Sequence, residues 1–141
     1  MMINISILEL VHLITTAMMV SIIWLVQILH YPTFLYIDID RYTEFQNFHM
    51  KNISYLIIPL MLLEFLTGFV LLFFVGEIDF YFSISFGLLV LIWLITALFF
   101  SKYHSALSNK YERGIILKLI RLNWVRTFFW TARLGLLLKL F

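Results

Sequence analysis

The chain has 141 residues, room for one compact unit, and it is 63% hydrophobic with only 13% charged residues, well below the roughly 25% charged of an average globular domain. A soluble domain of this size could not hide so much apolar surface, and a net charge of +2 on dispersed residues excludes the basic footprint of a nucleic-acid binder. With no cysteine in the chain, disulfides, thiolate metal sites and cysteine nucleophiles are excluded too.

The first predicted span covers about residues 7–30. Between Leu10 and Ile37 there is no Asp, Glu, Lys or Arg, and a bilayer core of about 30 Å needs about 20 helical residues. Met1 to Leu8 has no basic residue, so the segment reads as a retained helix rather than a cleaved signal peptide. His30-Tyr31-Pro32 is expected to end it, because proline disfavours helix at the residue before it. The stretch Asp38 to Met50 is polar with Tyr42, Phe45 and Phe48 interleaved. It is expected to form a short amphipathic helix on the membrane surface.

The second span, about 53–75, is interrupted only by Glu64, with Pro59 as a candidate kink. A short Gly76-Glu77-Ile78-Asp79 turn makes a hairpin with the third span, about 80–101, which is uncharged. The fourth, about 115–140, differs in holding Arg126 and Arg133. The expected fold is all-α: an integral membrane four-helix bundle, one transmembrane domain over 1–141, with a short interfacial amphipathic helix between spans one and two.

Orientation follows from the basic residues. Arg41, Lys51, Lys102, Lys110, Arg113, Lys118 and Arg121 lie on or near the connections 31–52 and 102–114, against Lys139 alone at the opposite side. The positive-inside rule then places those connections in the cytoplasm. Both termini fall outside it, and a bacterial inner membrane is the expected location.

Polar residues inside the spans carry the functional expectation, because charges at mid-membrane are costly and usually face the bundle interior. Glu64 sits at the middle of its apolar run, and on the fourth helix Asn123, Arg126, Trp130 and Arg133 share one face at about 100° per residue. The two arginines bracket the centre of that span by about 5 Å on either side. Glu64 is therefore at a depth to pair with either, with Asn123, Thr67 and Trp130 available to complete the hydrogen bonds. The pair reads either as a catalytic proton carrier tuned by Arg126 and Arg133 or as a structural clamp. On the first helix Glu9, His12, Thr16, Gln27 and His30 fall within about a 60° arc, with Met19 among them. His30, His49 and His104 gather near the cytoplasmic face, and only this placement suggests them as cofactor ligands. A second Glu-x-x-His motif for a di-iron site is missing, as are a phosphate loop and an H-E-x-x-H zinc motif.

Val11-His12-Leu13-Ile14, followed by Trp24 and Tyr31-Pro32, resembles the first helix of the small HemJ-type protoporphyrinogen oxidases and CopD-like membrane proteins. Ile53 through Pro59 to Gly68 is similar to their next helix. In the HemJ type the first-helix histidine ligates haem, so the resemblance implies His12 as a haem ligand; no lysine in Phe80 to Ser101 matches the later lysine of those proteins. Asn123-Trp124-Val125-Arg126-Thr127 resembles the last helix of the anthrone-oxygenase-like membrane family. Together these imply membrane redox chemistry. The expected function is a membrane-embedded redox or oxygenase-like protein that binds or acts on a lipophilic ligand such as a quinone, porphyrin or aromatic. Glu64, Arg126 and Arg133 are its candidate catalytic residues, and His12, His30 and His49 its candidate cofactor ligands. The cofactor is open, with haem one candidate, and no metal-ligand motif is assigned. The alternative is a non-enzymatic accessory subunit of a larger membrane complex. Expected partners are the lipid bilayer and either such a complex or further copies of the chain; nucleic acid is not among them.

Overall fold

A computed structural model describes residues 6–75 and 79–140, and all its regular structure is helical. Four helical rods follow one another: α1 (Ile7–Tyr36), α2 (Ile39–Val75), α3 (Phe80–Asn109) and α4 (Arg113–Leu137). The first three are long and apolar enough to cross a membrane. The chain is thus compatible with a small membrane protein, in the class its composition indicated. The expected turn at Gly76-Glu77-Ile78 lies outside the described residues.

Local chemistry sets the starts of the rods. Ser6 and Glu9 form a reciprocal capping box at the head of α1, with Ser6 N–H donating to Glu9 Oε2 at 2.7 Å and Glu9 N–H donating to Ser6 Oγ at 3.3 Å. Glu9 is therefore occupied by the helix end rather than by the inward polar stripe. The Asp79 carboxylate accepts from Phe82 N–H at 2.9 Å and starts α3 in the same way.

Three rods contain one wide π-helical turn each, at Val26–His30, Leu71–Val75 and Thr96–Phe100. The first has a clear cause. Pro32 has no N–H to offer the Ile28 carbonyl, and its ring would crowd that carbonyl in a regular α-helix. The turn opens instead, and Tyr31 N–H bonds Val26 O. The helix thus passes through His30-Tyr31-Pro32, where it was expected to stop. In α3 the Thr96 hydroxyl donates to Ile92 O at 2.7 Å, and Ser101 N–H bonds Thr96 O.

A second expectation is corrected. Asp38 to Met50 forms no separate surface helix: after one 3₁₀ turn, Ile39–Arg41, an unbroken helix runs from Tyr42 into the apolar segment. No Gly or Pro interrupts residues 42–58, and Tyr42, Gln46 and His49 are all buried on one face. At 1.5 Å per residue α2 is about 55 Å long, well beyond the roughly 30 Å of a hydrocarbon core. Its N-terminal turns, with the C-terminal turns of α3 and the end of α1, build a cap around Phe34, Tyr42, Phe100 and Leu107.

α4 is the central element, packing against both α1 and α3, while α1 also packs along α2. Contact between α2 and α3 is concentrated at the cap, through Ser101–Asn109. The inside of the bundle is half polar: sixteen hydrophobic and fourteen polar or charged side chains are buried among the described residues. Outside, Leu25, Ile28, Leu66, Phe73, Leu98 and Phe128 are exposed. This inverted distribution matches lipid as the solvent of the outer surface.

Candidate functional site

Three polar clusters occupy the interior. The deepest joins α2, α3 and α4. Glu64 and Arg133 are both fully buried, and Arg133 Nη1 donates to Glu64 Oε1 at 2.5 Å. Trp130 Nε1–H donates to the second carboxylate oxygen at 3.2 Å, and Arg133 Nε donates to Ser85 O on α3 at 2.9 Å. Glu64 had two candidate partners and takes Arg133; Arg126 lies instead beside Tyr31. Trp130 completes the carboxylate as expected. Asn123 does not: its amide donates to Gln27 Oε1 at 2.9 Å, and Gln27 donates on to Ile120 O at 3.3 Å, tying α4 to α1.

The second cluster is around His12. The Thr67 hydroxyl lies 2.7 Å from Leu63 O and 3.1 Å from Glu64 O, so its single hydrogen goes to its own helix. At 2.9 Å from that oxygen, His12 Nδ1 must be the donor. The imidazole fits against Gly68, where an added Cβ would come within 2.9 Å of its Cε1 atom and 3.0 Å of Phe86. Phe82 packs on the ring with centroids 5.5 Å apart.

The third cluster lies in the cap and brings together all three histidines expected near one face. His30 Nε2 and His49 Nδ1 share a hydrogen bond of 2.8 Å, and the His49 and His104 rings are 5.8 Å apart. Gln46 donates its amide hydrogen to His104 Nδ1 at 2.9 Å, which leaves the His104 proton on Nε2 to be donated to the Tyr31 hydroxyl oxygen at 3.2 Å. The Tyr31 hydrogen is thereby directed onward. Arg126 lies beside that hydroxyl, with its guanidinium 4.2 Å from the Phe100 ring centroid and 5.2 Å from that of Trp130.

Between α2 and α3, above their contact in the cap, is a cavity of about 650 Å³. Ile57, Met61 and Leu62 of α2 and Trp93, Ala97 and Phe100 of α3 supply apolar walls. Its polar end is formed by Arg126, Tyr31, His49 and His104. Ile58 and Leu62 on its rim are about half exposed on the outer face of the bundle, at 51% and 44%. The cavity therefore reaches the apolar outer surface of the bundle. Of the six expected site residues, Arg126 and His49 line it; Glu64, Arg133, His12 and His30 do not.

Tyr31, Gln46 and Trp93 were not singled out by sequence reasoning. The signal for Gln46 was available, since Tyr42, Gln46 and His49 repeat at helical spacing. Tyr31 stood out only as part of the expected helix end at His30-Tyr31-Pro32, and Trp93 lies in an uncharged span with no polar neighbour to mark it.

Comparison with family models, with curated proteins and with solved structures finds no match for this chain. His12 and His104 fit a haem poorly. His12 is 2% exposed, is wedged between Thr67, Gly68 and Phe82, and lies away from the cavity. Both nitrogens of His104 are hydrogen-bonded, whereas His30 and His49 bond each other through one ring nitrogen each and keep the second. Among the described residues no three His, Asp or Glu side chains gather in a metal-binding arrangement.

Proposed function

We propose that this protein is a four-helix membrane protein that takes a lipophilic molecule from the bilayer into the cavity between α2 and α3. In this reading α4 is the fourth crossing, and the cap lies on the cytoplasmic side of a bacterial inner membrane. The observation that carries the proposal is an apolar cavity, open to the apolar outer surface, that ends at a buried arginine. Its volume of about 650 Å³ is within the 300–1,000 Å³ typical of small-molecule sites, which are likewise mostly apolar with a few placed polar groups. The ligand's apolar part lies along Met61, Leu62 and Ala97, and its polar end meets Arg126, Tyr31, His49 and His104.

Catalytic residues in the chemical sense are not part of this reading. Glu64 and Arg133 hold one another outside the cavity, and we assign them to clamping α2, α3 and α4 together. Chemistry on the bound molecule, redox or oxygenase-like, would have to be drawn from Tyr31 and the cap histidines.

The test is to purify the protein from membranes in mild detergent, extract it with organic solvent and identify what is released. Ala97→Trp fills the cavity from its outer wall and serves as the comparison. Wild-type protein should release a lipophilic compound at close to one per chain, and the variant should release little. Equal release from both would overturn the proposal and favour the accessory-subunit reading, as would a haem absorption band abolished by His12→Ala.

A further inference from the structure

We infer that the molecule bound in this cavity is a lipophilic monoanion, a carboxylate carried on a single chain or one aromatic system; the inference rests on the cavity being a ligand site. The reason is an imbalance of charge and of hydrogen-bonding capacity at its polar end. Arg126 is only 4% exposed, and among the described residues no carboxylate comes within ion-pair distance of it. Its Nε–H is buried with no hydrogen-bond partner. Phe100 and Trp130 stack on the guanidinium, but an aromatic face carries no net charge and does not pair the Nε–H. Arg133, about two turns along the same face of α4, shows the ordinary solution, a buried carboxylate. A buried cation without a counter-ion is expensive, and a bound anion removes that cost.

The neighbouring groups point the same way. Tyr31 receives the His104 proton and so has its own hydrogen free to donate. Trp93 Nε1–H on the opposite wall is buried and has no partner among the described residues. The hydroxyl hydrogens of Ser54 and Thr96 are spent on Met50 O and Ile92 O, and no acidic side chain lines the cavity. Donors thus converge on a space that supplies no anion. One unbalanced arginine matches one negative charge, which suits a carboxylate better than a phosphate monoester at roughly −1.5 to −2. Arg also takes a carboxylate in a two-point, charge-assisted geometry.

The experiment uses the full chain in nanodiscs of zwitterionic phosphatidylcholine, titrated calorimetrically with oleate or with oleyl alcohol, with empty nanodiscs subtracted. Oleate should bind at least tenfold more tightly than the alcohol. Arg126→Gln should erase that preference, Arg126→Lys should keep part of it, and Ala97→Trp should abolish binding of both. If wild-type protein binds alcohol and oleate equally, the monoanion inference falls and the cavity reading stands. If the preference survives in Arg126→Gln, the inference falls in the same way. If wild-type protein binds neither probe, both fall. The wild-type comparison needs no variant to fold.

Discussion

Glu64 and Arg133 are buried to 0% exposure, bonded to each other, and reinforced by Trp130 and the Ser85 carbonyl. Removing one partner of such a pair strands the other charge, at a cost of about 3–5 kcal/mol. Glu64→Leu and Arg133→Leu should each lower the thermal unfolding midpoint in detergent sharply, Glu64→Gln less so, and the double leucine variant less than either single leucine change. A double variant as damaged as the sum of its parts would show that the pair is not a coupled clamp. A second residue-scale prediction concerns glycine. An added Cβ at Gly68 meets His12 and Phe86 within 3.0 Å, whereas at Gly87 it meets nothing within 4 Å. Gly87→Ala should be neutral or stabilising by up to about 1 kcal/mol from helix propensity. Gly68→Ala should destabilise by about 1–3 kcal/mol through overpacking. Equal midpoints for the two variants would refute the close fit of His12 on α2. At this scale the sequence exposed Glu64 and the arginines through their cost in an apolar run. Which arginine pairs with Glu64 was not readable, because both lie within about 5 Å of the same depth.

At the scale of elements, α2 is longer than a bilayer requires, and the chain's lack of cysteine makes this simple to check. Glu44 and Leu66 are both on the outer surface of α2, with the Glu44 side chain 79% exposed and Leu66 57% exposed. Only a membrane distinguishes them. In sealed vesicles whose cap side faces the medium, Glu44→Cys should react rapidly with a charged maleimide and Leu66→Cys should not. Rapid labelling of both would mean that α2 does not lie in lipid at Leu66. The three apolar rods were legible from their uninterrupted hydropathy, but their ends were not. Proline was expected to stop α1 at His30, yet a π-helical turn absorbed it, since a buried aromatic cluster around Phe34 rewards continuing the helix.

At the scale of the whole molecule, the cap holds both the α1–α2 and the α3–α4 connections, as the contact of Tyr31, His49 and His104 requires. With seven basic residues on or near those connections and only Lys139 at the far end, the positive-inside rule gives one orientation. Reporter domains fused after Asn109 and after Lys139 should give opposite compartment signals, with Asn109 cytoplasmic. Matching signals would remove α4 as a crossing and with it the four-span arrangement.

Composition and hydropathy alone determined that this chain is helical, apolar on its outside and built around a few inward polar groups, because the cost of a charge or an unpaired backbone group in lipid is large and local to each segment. The same local logic brought His30, His49 and His104 to one depth. Only the tertiary structure decided the rest: that Arg133 rather than Arg126 answers Glu64, that His12 is locked against Thr67 and Gly68, and that α2 and α3 part to leave a cavity facing Arg126. These depend on the rotation of each helix about its own axis and on where neighbouring helices separate. Both are set by side-chain packing between distant segments, which periodicity along one helix does not encode.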